Sequence, residues 1–346
     1  MAIEPLLQLG NGMAISFWVL VLGGLLGGLT AGLFGVGGGV IVTPLLISLG
    51  VPPHLAAGSM NVAIISNAAE ALAHDLPRRK VDWRLGLMMG AGAVAGGQAG
   101  TLWIASLKRP GLLDALIRGG FLILLLWLAL RLLKKRGERG ARARRWLFHM
   151  PLRYRSPWEQ EPVSALGPVL VSVGGGLVAA LLGVGGGIFY VPLLLALFHR
   201  PMQDLVPVSQ IAVLMGTLSV STGHVLHTGH VEPRLALVLV LAGSTGTVVG
   251  SRLKAHLDSK VLEKLLALVL LLAAFRLSLP LLGLSGSGMA APASGGDWLR
   301  AYGDWCATSR LHLWLGTVGV ALGMAPVLGW LQHRVLDRAA GFPSKP

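Results

Sequence analysis

Cysteine is almost missing. Cys306 stands alone among 346 residues, which excludes an intrachain disulfide and a cysteine-based zinc cluster. Charge is scarce as well: 13% of residues are Asp, Glu, Lys or Arg, against about a quarter in a soluble domain, while 53% are hydrophobic and the mean hydropathy is +0.69. Those values exclude an ordinary soluble domain and a disordered chain, and they place the polypeptide in lipid. Acidic residues are few, 15 against 29 Lys and Arg. The resulting net charge of +14 does not point to nucleic acid, because the basic residues cluster between apolar segments, where membrane topology needs them. Catalytic signatures are absent too. No GxSxG elbow, HExxH pair, membrane aspartate pair or P-loop lysine occurs, so the sequence reads as neither an enzyme nor an ATP-driven machine, and it implies no cofactor. The first apolar stretch, about Met13 to Phe34, follows Glu4 rather than Lys or Arg and is too long for a signal peptide; it is expected to stay in the mature protein.

What is abundant is glycine, 49 residues, and it sits inside apolar runs. Self-comparison explains part of it. GGLTAGLFGVGGGVIVTPLL, from Gly27 to Leu46, returns as GGLVAALLGVGGGIFYVPLL, from Gly175 to Leu194. The correspondence continues through Ser59 with Ser209, His74 with His224, Arg84 with Arg234, and Gly96 and Gly100 with Gly246 and Gly250. Such register over a long stretch marks a duplicated unit. Each copy reads as a glycine-interrupted apolar segment followed by helices at Leu55–His74, Leu85–Leu107 and Leu112–Leu133, then Leu205–Leu226, Leu235–His256 and Val261–Leu282. Each full helix supplies about 20 residues, enough to span a bilayer.

The expected fold is an all-α polytopic membrane protein with two homologous, inverted repeats of about four helices. Each repeat includes a glycine-broken or re-entrant segment, and one extra C-terminal helix follows. The divisions are residues 13–133 for the first repeat, 134–160 for a basic cytoplasmic linker and 161–283 for the second repeat. A loop at 284–311, the extra helix at 312–331 and a tail at 332–346 complete the chain. Inversion rests on Lys and Arg. If the glycine-broken segment folds back, 21 of them share one face and only Lys108, Arg109, Arg234, Arg300 and Arg310 lie opposite, whereas parallel repeats divide them 16 against ten.

Chemistry is expected first at GVGGG. A glycine run can serve close helix packing, or it can break a helix at membrane depth and leave backbone amides free. The density of the run favours the break, and Thr43 with Pro44 suits an N-cap followed by the first helical residue. Free N–H groups at a helix start form an anion site without a charged side chain. On the second helix of each repeat, Ser59, Ser66, Asn67, Glu70 and His74, and then Ser209, Thr217, Ser221 and His224, recur on one face. That pattern suits either interhelical bonding or a substrate path. Glu70, His74 and His224 are candidates for proton coupling. His224 and His227 offer an alternative as ligands in a metal-cation transporter, but interfacial histidines fit better, so no metal site is assigned.

At GVGGGVIVTPLL and GVGGGIFYVPLL, followed by GVPPHLAAGSMN and KVDWRLGL, the chain resembles the sulfite exporter TauE/SafE family over roughly Gly23 to Leu282. The resemblance implies a multi-pass permease for sulfite or organosulfonate anions in the inner membrane of a prokaryote. It also implies a substrate site at Gly37, Gly38 and Gly39 with Ser59, and at Gly185, Gly186 and Gly187 with Ser209. In the mechanism expected from this, the two halves rock around an anion held by those amides, giving alternating access; a passive anion channel would share the same features. The expected partners are that small anion, the lipid bilayer and at most a second copy of the chain, which makes a homodimer; nucleic acid is not among them.

Overall fold

The computed structural model describes residues 6–8, 14–77, 81–107, 116–117, 119–120, 122–123, 153–158, 162–198 and 200–278. Most of the helix expected at 112–133, most of the basic linker, and everything assigned beyond residue 283 lie outside them. The described residues are mainly helical. The first half holds α1 (Phe17–Phe34), α2 (Gly39–Ser48), α3 (Pro53–Asp75) and α4 (Trp83–Ser106). The second holds α5 (Leu166–Leu182), α6 (Gly187–Leu197), α7 (Met202–Gly223, prolonged by a π turn at His224–Thr228), α8 (Pro233–His256) and α9 (Ser259–Ser278). Two short antiparallel pairs flank them, β1 (Leu6–Gln8) with β2 (Ala14–Ser16), and β3 (Arg153–Tyr154) with β4 (Val163–Ser164). Helix α1, α7 with its π turn, and α8 are long and apolar enough to cross a membrane. Outward positions such as Trp18, Leu22, Leu87, Trp103, Leu170, Leu237 and Leu272 are exposed and apolar, the surface a bilayer covers.

Both glycine runs stop a helix and reverse it. Gly35 closes α1 in the left-handed region at φ 72°, donating its N–H to Ala31 O at 2.9 Å, and Gly37 and Gly38 follow at φ 85° and 86°. Helix α2 then folds back along α1, with Val42 against Gly27 and Leu45 against Gly23. The second run repeats this. Gly183, Gly185 and Gly186 take φ 65°, 85° and 73°, and Tyr190 of α6 packs on Gly175 of α5 while its hydroxyl donates to Ser172 O at 3.3 Å. Each run therefore makes a hairpin, not a crossing. One expectation needs correction: α2 begins at Gly39, so Thr43 is not its N-cap and Pro44 lies inside the helix. The left-handed Gly38 already starts the helix, which frees the Thr43 hydroxyl to donate across the molecule to Gly183 O at 3.2 Å.

Packing is most extensive between halves rather than within them. Helix α1 runs alongside α8 in the same direction, Gly24 on Ala242, Gly28 on Gly243 and Gly32 on Thr247. A side chain at Gly28 would strike the Gly243 backbone, its Cβ 2.7 Å from the carbonyl carbon, so only glycine permits this approach. Helix α4 runs alongside α5 in the same way, Gly92 on Val169, Gly96 on Val173 and Gly100 on Ala180, and it also follows α7. Helix α3 pairs along α8, from Ser59 with Glu232, through Ser66 with Ser244, to Asp75 with Lys254. Two mixed bodies of helices can be drawn, α1, α3 and α8 and α4, α5 and α7, each containing parts of both halves.

The ends of the bundle differ. At one, Asp82 caps α4 by accepting the Leu85 N–H at 3.0 Å, and it also accepts the Tyr154 hydroxyl at 3.2 Å and the Ser156 hydroxyl at 2.8 Å. Burial, reinforced by the Asp82 charge, holds the Tyr154 phenol above its usual range, so it remains a donor. Arg200 donates to Trp158 O at 3.2 Å, which ties the same linker segment to the second half. The aspartate of VDWRL is thus a cap and a dock. Asp82→Ala is expected to destabilise the protein by about 2 kcal/mol, and Asp82→Asn by clearly less, as read by thermal unfolding in detergent.

Candidate functional site

The two glycine turns meet at the middle of the bundle. Gly187 lies against the first turn, where a Cβ would come 2.5 Å from Gly35 O and 2.8 Å from Val36 Cα. Gly39 lies against the second, where a Cβ would come 2.9 Å from Val184 Cα. Ile64 sits between them, its Cγ2 within 2.8 Å and 2.9 Å of the Cβ positions of Gly37 and Gly185. Ile64 and Val213 occupy the middle of α3 and α7, so the turns lie at mid-depth of both helices.

Carbonyls and amides at this meeting point are treated differently. Several carbonyls have partners, reached across the two halves. Ser209 donates to Gly35 O at 3.2 Å, Gln210 to Ala31 O at 3.1 Å, Asn61 to Ala179 O at 3.2 Å and Asn67 to Gly37 O at 3.5 Å. The amides do not. Among the described residues, no acceptor pairs with the N–H groups of residues 36–40 or 184–188, all of which are buried. A buried unpaired N–H costs about 1–3 kcal/mol, so ten of them cost on the order of 10 kcal/mol or more, as much as a whole domain's stability. Helices α2 and α6 both begin here, adding the positive ends of two helix dipoles. With several carbonyls covered and no acceptor described for the amides, the place suits a negatively charged group without any Lys or Arg.

In comparison with known proteins, residues 20–277 match the family described as Sulfite exporter TauE/SafE. The chain belongs to the sulfite exporter TauE/SafE family. It is a membrane transporter with several membrane helices. It is similar to the probable membrane transporter protein YunE of Bacillus subtilis, 26% identical over 75% of this chain and 96% of that protein. It is also similar to the probable membrane transporter protein YjnA of the same organism, 25% identical over 75% of this chain and 98% of that one. A third relative, the probable membrane transporter protein MJ0441 of Methanocaldococcus jannaschii, is 21% identical over 73% and 91% of the two chains. No solved structure matches the chain.

Within this TauE/SafE chain, Gly37, Gly38, Gly39, Gly185, Gly186 and Gly187 come together, and Ser209 joins them through Gly35. Ser59 does not. Its hydroxyl accepts the Glu232 N–H at 2.8 Å, at the start of α8. Glu70, His74 and His224 are not brought together either. His74 lies 3.4 Å from Asp75, which pairs with Lys254. His224 sits near the opposite end of the bundle, its Nε2 3.0 Å from Ala180 O and its Nδ1 3.2 Å from the Thr228 hydroxyl. With both ring nitrogens engaged, His224 has none to give a metal, and His227 is exposed. Among the described residues no group of three His, Cys, Asp or Glu is placed to hold a metal ion. His224 instead lines a tightly packed crevice with His54 and His230, near Gly183. Burial, followed by the neighbouring His54 and His224, pushes His230 down to about 3, so it brings no charge to the crevice at neutral pH.

Asn61, Gln210 and the Asp75–Lys254 pair were not singled out by spacing. Lys254, counted among topology charges, is 2% exposed. Asn61 and Gln210 each brace the other half's broken helix through the carbonyl that also receives its closing glycine N–H. Asn61→Leu and Gln210→Leu are each expected to cost about 1–2 kcal/mol, read as a lowered unfolding temperature of the detergent-solubilised protein.

Proposed function

We propose that this protein is a secondary transporter that moves a small sulfur oxyanion, sulfite or an organosulfonate, by alternating access. The carrying observation is the pair of facing hairpins whose buried amides have no acceptor among the described residues. The family's description as sulfite exporters directs the choice of anion. Inverted repeats are supported by direction: α3 and α8 run together, α7 returns to α8 through a short loop, and so α7 opposes its counterpart α3. In this reading the membrane is a prokaryotic inner membrane and the Asp82 end, which gathers Arg84, Arg153, Arg155, Arg200 and Lys260, is cytoplasmic. The conformation described is the closed one, with Ile64 filling the space between the turns; separation of the two mixed bodies along α3 and α7 would admit solute from one side at a time. Proton coupling through Glu70 and His74 has less support, because these side chains do not bond to one another.

Counterflow in proteoliposomes tests the reading. Preloaded sulfite is expected to accelerate uptake of labelled sulfite in a saturable way, with methanesulfonate competing and acetate not. Uptake that rises linearly with concentration would identify a channel instead. Gly187→Ala would force a Cβ to 2.5 Å from Gly35 O and part the turns. It is expected to weaken sulfite binding about tenfold, the loss of one or two charge-assisted hydrogen bonds, while the protein stays monodisperse.

A further inference from the structure

Beside the first glycine turn, between α3 and α8, lies a second group of buried atoms with the opposite polarity. Among the described residues no well-formed hydrogen bond reaches either oxygen of Glu70 or Asn67 Oδ1, and the nearest donor to Glu70 is the Ser244 hydroxyl. Glu70 is 4% exposed and Asn67 1%. Their neighbours are oxygens too. Ser66 and Ser244 share one hydrogen bond of 3.0 Å, and the Glu70 carboxylate lies beside Ser244. Asn67 Oδ1 faces Gly243, where a Cβ would come 2.6 Å from it. The amide cannot turn round to relieve this, because its nitrogen is committed to Gly37 O. Lys254, the buried cation of the same helix pair, is taken by Asp75. A carboxylate, an amide oxygen and two hydroxyls therefore line α3 and α8, and the donors among them are the two hydroxyls, one of which is spent on the other.

We propose that this oxygen cluster binds a sodium ion that is transported with the anion. The inference rests on the transport reading above and supplies its coupling ion. Oxygen donors of this kind suit a hard alkali cation, which takes several of them at once. A proton would neutralise the carboxylate through a single bond, whereas an alkali cation can engage the carboxylate, the amide oxygen and a hydroxyl together. A divalent cation would keep a net positive charge in the bilayer beside a single carboxylate, which is costly. Sodium with the Glu70 carboxylate is neutral. Asn67 links this site to the anion, since one end of its amide faces the cation and the other holds the Gly37 carbonyl. A bound cation would thus fix the turn in its amide-presenting form, and affinity for each ion would rise with the other present.

The test uses the full chain in detergent, exchanged into choline chloride. With no sulfur anion present, adding sodium chloride is expected to raise the unfolding temperature in a saturable way, while equal choline chloride does not. Glu70→Gln, which keeps the shape and removes the charge, is expected to lower the apparent sodium affinity at least about tenfold, and Ser244→Ala to lower it less. Sulfite counterflow in the unaltered protein is expected to fall at least about threefold when choline replaces sodium, a coupling of less than 1 kcal/mol being enough. An unfolding temperature that ignores sodium, or a sodium response that survives intact in Glu70→Gln, overturns the proposal. So does flux that follows an imposed pH gradient through Glu70 and ignores sodium, which would assign the cluster to a proton. A sodium response without any sulfite flux would keep the cation site and sink the anion reading instead.

Discussion

A peptide group at membrane depth has no bulk water to bond with, and this one constraint organises the molecule. Everywhere but at two places it is met by continuous helix. At the two glycine runs it is met only on the carbonyl side. Side chains from α3 and α7 reach over to the stranded carbonyls, and Thr43 helps from α2, so what remains is a concentrated set of N–H donors. The breaks, the polar residues on the central helices and the electropositive centre are therefore consequences of a single arrangement. Selectivity for negative solutes would need no cationic side chain, and the same centre would repel a cation at the proposed Glu70 site unless a carboxylate were there to receive it.

The second organising feature is that helices pair across the duplication. Helices α1, α3 and α8 form one layer and α4, α5 and α7 another, each stitched by glycines that let backbones touch. The layers meet along α3 and α7, and the two hairpins lie in that seam. Motion that opens the seam leaves the glycine-packed pairs intact, since these lie inside each layer. It also acts directly on the hairpins, because Ile64 of one layer touches glycines of both.

Much of this was legible in the sequence and some was not. The GVGGG runs announced a break because five residues of that kind hold neither a helix nor a packing seam, and helix limits followed from apolar runs bounded by Pro, Gly and Asp. Thr43 misled, since a Thr-Pro pair is also the local signature of a helix start; only coordinates reveal that Gly38 has already started it. Ser59 and Ser209 look alike in sequence yet meet different partners, the Glu232 N–H for one and the Gly35 carbonyl for the other. Asn61 and Gln210 were hidden by a slip of one residue in the repeat register. Lys254 read as a surface charge because its partner, Asp75, stands 179 positions away.

The glycine stripe of α1 faces a surface that does not exist until α8 has been made, more than two hundred residues later. During synthesis the stripe of Gly24, Gly28 and Gly32 must wait in the bilayer with nothing complementary beside it. The surface that completes α1 is supplied by the second half, so the closest backbone contacts of the bundle form only when both halves are present.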